Sequence, residues 1–172
     1  MKLYTFEAGG KTRIGAEQNG KLVDLAAAWA ASLPAAQKSQ PPLPSDMLGL
    51  VRAGAPAMQQ VRQSLEFAST RPADASLFYE LNKVKVRAPI ARPGKILCSG
   101  LNYHGHTREN PNAKFPEDPF FFSKLPSNVI GPGDPIVVPS MSKQVDYEVE
   151  FAVVIGRTLR RASENEIPGS FF

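Results

Sequence analysis

The most informative pattern of apolar and polar positions lies in residues 144–156, where apolar side chains alternate with acids and then give way to a continuous apolar run. Such a pattern predicts a β-strand that begins at the edge of a sheet and enters a core. Because side chains at positions i and i+2 of a strand share a face, Glu148 and Glu150 are expected on one face. Tyr147 and Val149 are expected on the other. The repeat along a strand is roughly 6.5–7 Å, so both carboxylates could reach one divalent cation.

An ordinary explanation of this pattern is a half-exposed strand whose acids are in water. The run at residues 152–155 is apolar on both faces of the predicted strand, which places Glu148 and Glu150 close to its buried part. Unpaired carboxylates are costly there. A hard cation such as Mg²⁺ or Ca²⁺, which prefers oxygen ligands, would remove that cost, so the pair is a candidate metal site.

The N-terminal pattern predicts a small antiparallel meander followed by two helices. Three strand-like runs, residues 2–7, 12–17 and 21–24, are separated by Gly9-Gly10 and by Asn19-Gly20, and Asn-Gly is a strong hairpin signal. Asp24 is expected to cap a helix that ends near Leu33. Ser45 is expected to cap a second helix over about residues 46–68, with a break at residues 54–56.

Beyond the second helix, residues 83–87, 95–100 and 120–124 are each predicted to form a strand, and the motifs become denser from Arg92 onward. We therefore predict three parts: a small N-terminal domain over residues 1–70, a connector over residues 71–90, and a partial catalytic-type domain over residues 91–172.

Composition excludes several classes of protein. The chain has a formal net charge of +4, but its basic residues are scattered, and no nucleic-acid-binding motif accompanies them. The only cysteine, Cys98, excludes an intramolecular disulfide framework and fits a reducing compartment. The apolar run at residues 25–33 is too short to span a bilayer, and the first residues do not form a signal peptide. A cytoplasmic location, without membrane or nucleic-acid partners, is expected.

Several side chains outside the acidic pair could carry chemistry. If Thr107 begins a helix, His106 and Glu109 lie on the same side of its first turn, so that the carboxylate could orient the imidazole as a general base. His104 with His106 and Glu109 also resembles a cupin metal motif, although the spacing to the acid is short, and a surface pair without a role is the ordinary alternative. Lys124 is either a solvated strand end or a pocket cation. Cys98 in an apolar strand usually behaves as a small hydrophobic residue.

Taken together, five motifs resemble the fumarylacetoacetate hydrolase family, and in particular its bacterial acylpyruvase and 2-hydroxyhepta-2,4-diene-1,7-dioate isomerase branch. They are G-L-N-Y from Gly100, H-x-x-E from His106, F-x-K-x-P-S from Phe122, G-P-x-D-P-I from Gly131 and D-Y-E-x-E from Asp146. The resemblance covers about residues 92–160. It implies an α+β fold: a small N-terminal α/β domain followed by the first part of the family's mixed β-sandwich roll.

The resemblance also implies a function and roles for individual residues. Glu148 and Glu150 would be metal ligands for Mg²⁺, Mn²⁺ or Ca²⁺, His106 and Glu109 a water-activating dyad, and Lys124 a substrate-orienting cation. The implied reaction is metal-dependent hydrolysis of a C–C bond in a β-diketo acid, such as an acylpyruvate or fumarylacetoacetate. Related family activities are isomerisation and decarboxylation of 2-oxo acids. Like its relatives, the protein would be catabolic and a homodimer.

One departure from the family pattern concerns the third metal carboxylate, an aspartate that follows the E-x-E pair in the family and has no counterpart before Phe172. The resemblance therefore implies a C-terminally truncated chain. Two carboxylates instead of three predict weak cation binding and little hydrolysis. The competing hypothesis is an inactive fragment that acts only by associating with a full-length relative. Either way, exposed apolar surface and self-association are expected.

Overall fold

A computed structural model of the protein describes residues 1–109 and 116–172. The chain forms two compact units, one of residues 1–90 with 130–172 and the other of residues 91–129. Helices and antiparallel strands occur together, which confirms the α+β class. No helix in the described ranges is both long and apolar enough to cross a bilayer.

The first unit is built on a five-stranded antiparallel sheet with the order β4-β3-β2-β1-β5. Its strands are β1 (Leu3–Ala8), β2 (Lys11–Gln18), β3 (Lys21–Asp24), β4 (Phe78–Glu80) and β5 (Lys85–Arg87). The predicted meander is confirmed. At the second hairpin, Gln18 pairs with Lys21 around Asn19 and Gly20, which both have positive φ, as a two-residue turn between twisted strands requires.

Residues 71–90, expected from the sequence to form a connector, supply the two outer strands of this sheet. β4 pairs with β3 and β5 pairs with β1. β5 lies within residues 83–87, which the sequence predicts as a strand. The sequence does not predict β4, because three residues are too few for alternation to identify a strand, and its pairing with β3 supplies the missing information. The predicted division of the chain into domains at about residue 90 stays a prediction.

Two helices cover the sheet: α1 (Leu25–Ser32) and α2 (Met47–Ser69). Asp24 caps α1, as predicted, by accepting a hydrogen bond from the backbone N–H of Ala27. The cap of α2 is Asp46 rather than Ser45, since the Asp46 carboxylate accepts the Gly49 N–H at 2.8 Å. The predicted break is confirmed at Gly54, whose φ of 62° interrupts the helix.

The core of the first unit lies between the helices and the sheet. Its larger cluster consists of Ile14, Ala16, Leu25, Trp29, Leu43, Met47, Leu50, Ala57 and Val61. Fully burying one large aliphatic side chain contributes about 1.5–3 kcal/mol, so this cluster is the main stabilising feature of the unit. The Trp29 indole N–H donates to the Pro41 carbonyl, which fixes the proline-rich connector against α1.

The second unit contains β6 (Ile96–Ser99), α3 (His104–Glu109) and β7 (Phe121–Lys124). β6 and β7 form an antiparallel pair in which Ile96 faces Lys124 and Ser99 faces Phe121. Both strands agree with the sequence prediction. The chain leaves the end of β6 to form α3 and returns to the start of β7.

The strand predicted around Glu148 and Glu150 is not present: residues 144–154 have no regular secondary structure. Apart from the partly buried Val154, their apolar side chains are exposed, with Val149 and Phe151 each 86% accessible. A strand requires backbone partners on at least one edge. In the described part of the chain, such partners occur only at one end of this segment, where Ile155 forms an isolated bridge with Phe171. Two hydrogen bonds make the bridge: the Gly156 N–H donates to the Ser170 carbonyl, and the Phe172 N–H donates to the Val154 carbonyl. The prediction that Glu148 and Glu150 lie close to the buried part of a strand is therefore also wrong.

Candidate functional site

The residues predicted to do chemistry are divided between the two units. His106, Glu109 and Lys124 belong to residues 91–129, and Glu148 and Glu150 belong to the unit formed by residues 1–90 and 130–172. Each group is described within its own unit.

α3 carries the predicted dyad. The backbone places His106 and Glu109 in one short helix, His104–Glu109, three positions apart, so a shared side of the helix is available to them. The side chains of both residues lie outside those that the structure describes. Their roles stay predictions, supported by this backbone placement.

Lys124 ends β7 and is exposed. Its ammonium lies 6.0 Å from the centroid of the Phe122 ring, on the same face of the strand, and no ion pair in the described residues involves it. The strand register sets Lys124 opposite Ile96, at the start of β6, whereas α3 follows the end of β6. Lys124 is therefore an exposed cation at the end of the strand pair that lies away from the beginning of α3.

Cys98 lies in the middle of β6, opposite Phe122, and is a partly buried free thiol. This position, in a strand whose neighbours are mostly apolar, fits the interpretation of the thiol as a small hydrophobic group.

A shallow cleft of about 470 Å³ lies in the second unit, just after Lys124 along the chain. It is lined by Ala91, Arg92, Pro126, Ser127 and Val129. Arg92 supplies a permanent positive charge and Ser127 a hydroxyl, a combination suited to a carboxylate. The sequence motif that contains Lys124 and Ser127 thus borders a concave polar surface.

Residues 131–134 form a well-defined turn, as their glycine- and proline-rich sequence predicts. Asp134 N donates to Gly131 O at 3.1 Å, and Gly133 has a φ of 75°, as the third position of a type II turn requires. The Asp134 carboxylate accepts the Gly131 N–H at 2.9 Å and pairs with Lys85 at 3.2 Å. These two hydrogen bonds, the first the larger cause, lower the pKa of Asp134. The turn thereby attaches the segment leading to Glu148 and Glu150 to strand β5.

Glu148 and Glu150 are both exposed. The neighbouring Asp146 carboxylate accepts the Tyr147 N–H at 2.8 Å. Because it is used in this local hydrogen bond, we do not count it as a third ligand. Two carboxylates two positions apart are suitable oxygen donors for a hard divalent cation. Among the described residues, however, no group of three or more His, Cys, Asp or Glu side chains is gathered. The carboxylates of Glu148 and Glu150 are thus chemically suited to a divalent cation, to which they would supply two protein ligands.

Comparisons with known proteins identify relatives of this chain. The family model for the fumarylacetoacetate (FAA) hydrolase C-terminal matches residues 95–168, a range that includes all five predicted site residues. Oxaloacetate tautomerase FAHD2A, mitochondrial, from Bos taurus is 34% identical over 161 residues, which are 91% of this chain and 45% of that protein. The chain thus spans less than half the length of this curated relative.

Two solved structures resemble the whole of this chain. The fumarylacetoacetate hydrolase from psychrophilic Exiguobacterium antarcticum has a TM-score of 0.66 at 26% identity, with all of this chain and 53% of that chain covered. Maleylpyruvate hydrolase from Sphingobium sp. SYK-6, solved in complex with manganese (II) ion and pyruvate, has a TM-score of 0.62 at 24% identity, with 55% of that chain covered. The second likeness shows the fold alone.

Proposed function

The chain belongs to the fumarylacetoacetate hydrolase family, and from this membership we propose that it takes part in divalent-metal-dependent cleavage of a C–C bond in a β-diketo acid of the acylpyruvate type. The observation that supports the proposal is the family match over residues 95–168, which covers His106, Glu109, Lys124, Glu148 and Glu150. The relatives' names include both hydrolase and tautomerase, and the substrates in those names are oxo acids that form enols.

We assign Glu148 and Glu150 as two ligands of the cation, which is Mg²⁺, Mn²⁺ or Ca²⁺. A manganese ion is named for the maleylpyruvate hydrolase of similar fold, and oxygen donors suit all three ions. A divalent cation bound there would polarise the 2-oxo carbonyl of the substrate. Because the described residues gather no third protein ligand, we expect weak binding, with saturation only at millimolar metal.

The remaining steps use the chain's own side chains. An imidazole nitrogen of His106 takes a proton from water, and the Glu109 carboxylate stabilises the resulting imidazolium. The hydroxide oxygen bonds to the distal carbonyl carbon, and the bond between that carbon and the methylene carbon of the pyruvate part breaks. The products are a carboxylic acid and the enolate of pyruvate, whose carbon takes the proton from the His106 imidazolium. The ammonium of Lys124 attracts the negative charge of the substrate.

The test is a turnover assay on the purified chain. Loss of the enol absorbance of an acylpyruvate is followed with and without Mg²⁺ or Mn²⁺, and pyruvate is quantified as the product. We expect slow, metal-dependent release of pyruvate that is abolished in Glu148→Gln and retained in Glu164→Gln, which changes an exposed acid in a separate short helix at Glu164–Glu166. Pyruvate release that is independent of metal or unaffected by Glu148→Gln would contradict the assignment.

A second candidate reaction is the tautomerisation of oxaloacetate, favoured by the activity for which the Bos taurus relative is named. It uses the same residues to move a proton between the oxygen and carbon of an enol, without breaking a C–C bond. Oxaloacetate enol that decays to the keto form without release of a new acid would favour this reaction over hydrolysis. A cytoplasmic location and a homodimeric state stay predictions; the Bos taurus relative is described as mitochondrial.

A further inference from the structure

Gly100 is held against Phe120 at the point where the chain departs toward α3. The Gly100 N–H donates to the Phe120 carbonyl at 3.1 Å, which adds one backbone bond beyond the last strand pair, Ser99 with Phe121. A Cβ placed on Gly100 would lie 2.0 Å from Cζ and 2.1 Å from Cε2 of the Phe120 ring. The ring therefore lies over the glycine, in the space that any other side chain would use.

The constraint at this position is steric, since a methyl group on Gly100 would displace the Phe120 ring, which is 47% exposed. Gly100 is not among the glycines with positive φ, so alanine is compatible with its backbone. An aromatic ring that covers a cross-strand glycine is a known way to stabilise that position in a sheet. The backbone reversal occurs at the next residue, Leu101, whose φ is 48°, a conformation that non-glycine residues adopt at a cost.

This contact closes the base of the excursion that contains α3. The chain leaves the strand pair after Gly100, forms α3 at His104–Glu109 and rejoins the pair at Phe120. Only Leu101, Asn102 and Tyr103 separate Gly100 from His104, the first residue of α3. A contact that joins the two ends of such an excursion reduces the number of conformations open to it.

We infer that the Gly100–Phe120 contact is a positioning element that sets the start of α3 and, through it, the placement of His106. This inference rests on the proposed function, in which His106 is the base that takes a proton from water. Phe120 is a positioning residue in this account, because it acts through the backbone of the excursion and not through substrate.

The first measurement is a set of backbone amide spectra of the whole chain, with attention to residues 103–109. Gly100→Ala should shift these resonances, since the new methyl group and the ring cannot share the site, and should increase amide exchange in α3 by about two- to fivefold, the range for loss of one cross-strand pair. Gly94→Ala is the matched control: it lies in the same unit, has no positive φ and has open space where the added methyl group would lie, so α3 should be unchanged.

The decisive variant is the double substitution Gly100→Ala with Phe120→Ala, in which the methyl group occupies space that the ring has vacated. Restoration of the α3 resonances toward their original positions is the expected result, and a general loss of stability would not produce it. Phe120→Ala alone provides a second test, because it leaves the space above the glycine empty, which the methyl group fills in the double variant. This single substitution should therefore also shift the α3 resonances.

Kinetics separate this inference from the proposed function. If the chain turns over an acylpyruvate, Gly100→Ala should lower kcat by roughly tenfold to a hundredfold with little change in KM, as misplacement of a catalytic group does. The double variant should recover most of that loss. If no variant, including the original chain, shows turnover but the α3 resonances behave as described, the proposed function fails and the positioning role stands. Unchanged α3 resonances in both Gly100→Ala and Phe120→Ala would overturn the inference.

Discussion

Replacement of Asp24 by alanine should be among the most destabilising single changes in the first unit. Asp24 is 1% exposed, and its carboxylate serves two purposes at once. One oxygen accepts the Ala27 N–H at 3.1 Å as the cap of α1, and the other pairs with the Arg13 guanidinium at 2.6 Å. The Arg13 Nε has no hydrogen-bond partner in the described structure, so loss of the carboxylate would leave that cation supported only by the nearby Tyr79 ring.

The magnitude follows from these two contacts. Loss of an N-cap costs about 1 kcal/mol, and loss of a charge-assisted hydrogen bond costs about 1.5–3 kcal/mol. The Arg13 side chain is 28% exposed, so water compensates for part of the second contribution. We expect the free energy of unfolding to fall by about 2–4 kcal/mol in Asp24→Ala, and by less in Asp24→Asn, which retains a capping oxygen.

Urea denaturation followed by Trp29 fluorescence measures this change, because Trp29 is the only tryptophan of the chain and is buried in α1. Asp46→Ala is the matched control: Asp46 caps α2 by the same kind of bond, has no cation partner among the residues that the structure describes, and its loss should cost about 1 kcal/mol. If Asp24→Ala and Asp46→Ala lower the free energy of unfolding equally, the ion pair with Arg13 contributes nothing and the reasoning is wrong.

Two further results are expected. The hydrogen bond from the Gly131 N–H, and after it the one from Lys85, lower the pKa of Asp134 in the folded state. The stability that Asp134 contributes is therefore present above its ordinary pKa of about 3.9 and is lost as the pH falls through the lower pKa of the folded state. Asp134→Asn should weaken this loss of stability at acid pH in urea titrations, and an unchanged pH dependence would contradict the role of these hydrogen bonds. Val137 and Met141 are 86% and 92% exposed, so Val137→Lys with Met141→Lys should reduce hydrophobic-dye binding and self-association in light scattering, whereas equal dye binding would show that this segment is covered in solution.

The elements that the sequence predicts correctly are those defined by local chemistry. The Asn19-Gly20 turn, the Asp24 cap and the interruption at Gly54 each depend on a few neighbouring residues, and the structure contains all three. The displaced cap of α2, at Asp46 instead of Ser45, is an error of one residue between two good capping side chains, which local preference alone does not separate.

The errors occur where pairing is non-local. β4 consists of three residues and depends on β3, more than fifty positions earlier in the chain, so no local pattern identifies it. Conversely, residues 144–154 have a strong strand pattern but lack backbone partners over most of their length in the described structure. Alternation shows that a segment is suited to a sheet, while the sheet itself depends on neighbours.

The predicted site depends on both kinds of information. Lys124 lies at the end of a strand that its local sequence predicts, and α3 begins at His104, three residues before the helix start considered at Thr107. The contact between Gly100 and Phe120 could not be inferred from spacing, because it joins residues on either side of the α3 excursion. Its only sequence signal is a glycine directly after an apolar strand, which marks a close approach without identifying the partner.

Titration of the chain with Mn²⁺, followed by water-proton relaxation or by the electron paramagnetic resonance signal of free Mn²⁺, shows whether Glu148 and Glu150 bind a divalent cation. We predict a single weak site whose affinity falls at least about tenfold in Glu148→Gln and in Glu150→Gln, since affinity depends strongly on ligand charge and number. Glu164→Gln should leave the site unchanged. Equal Mn²⁺ affinity in the original chain and in both Glu148→Gln and Glu150→Gln would show that these carboxylates do not bind the cation.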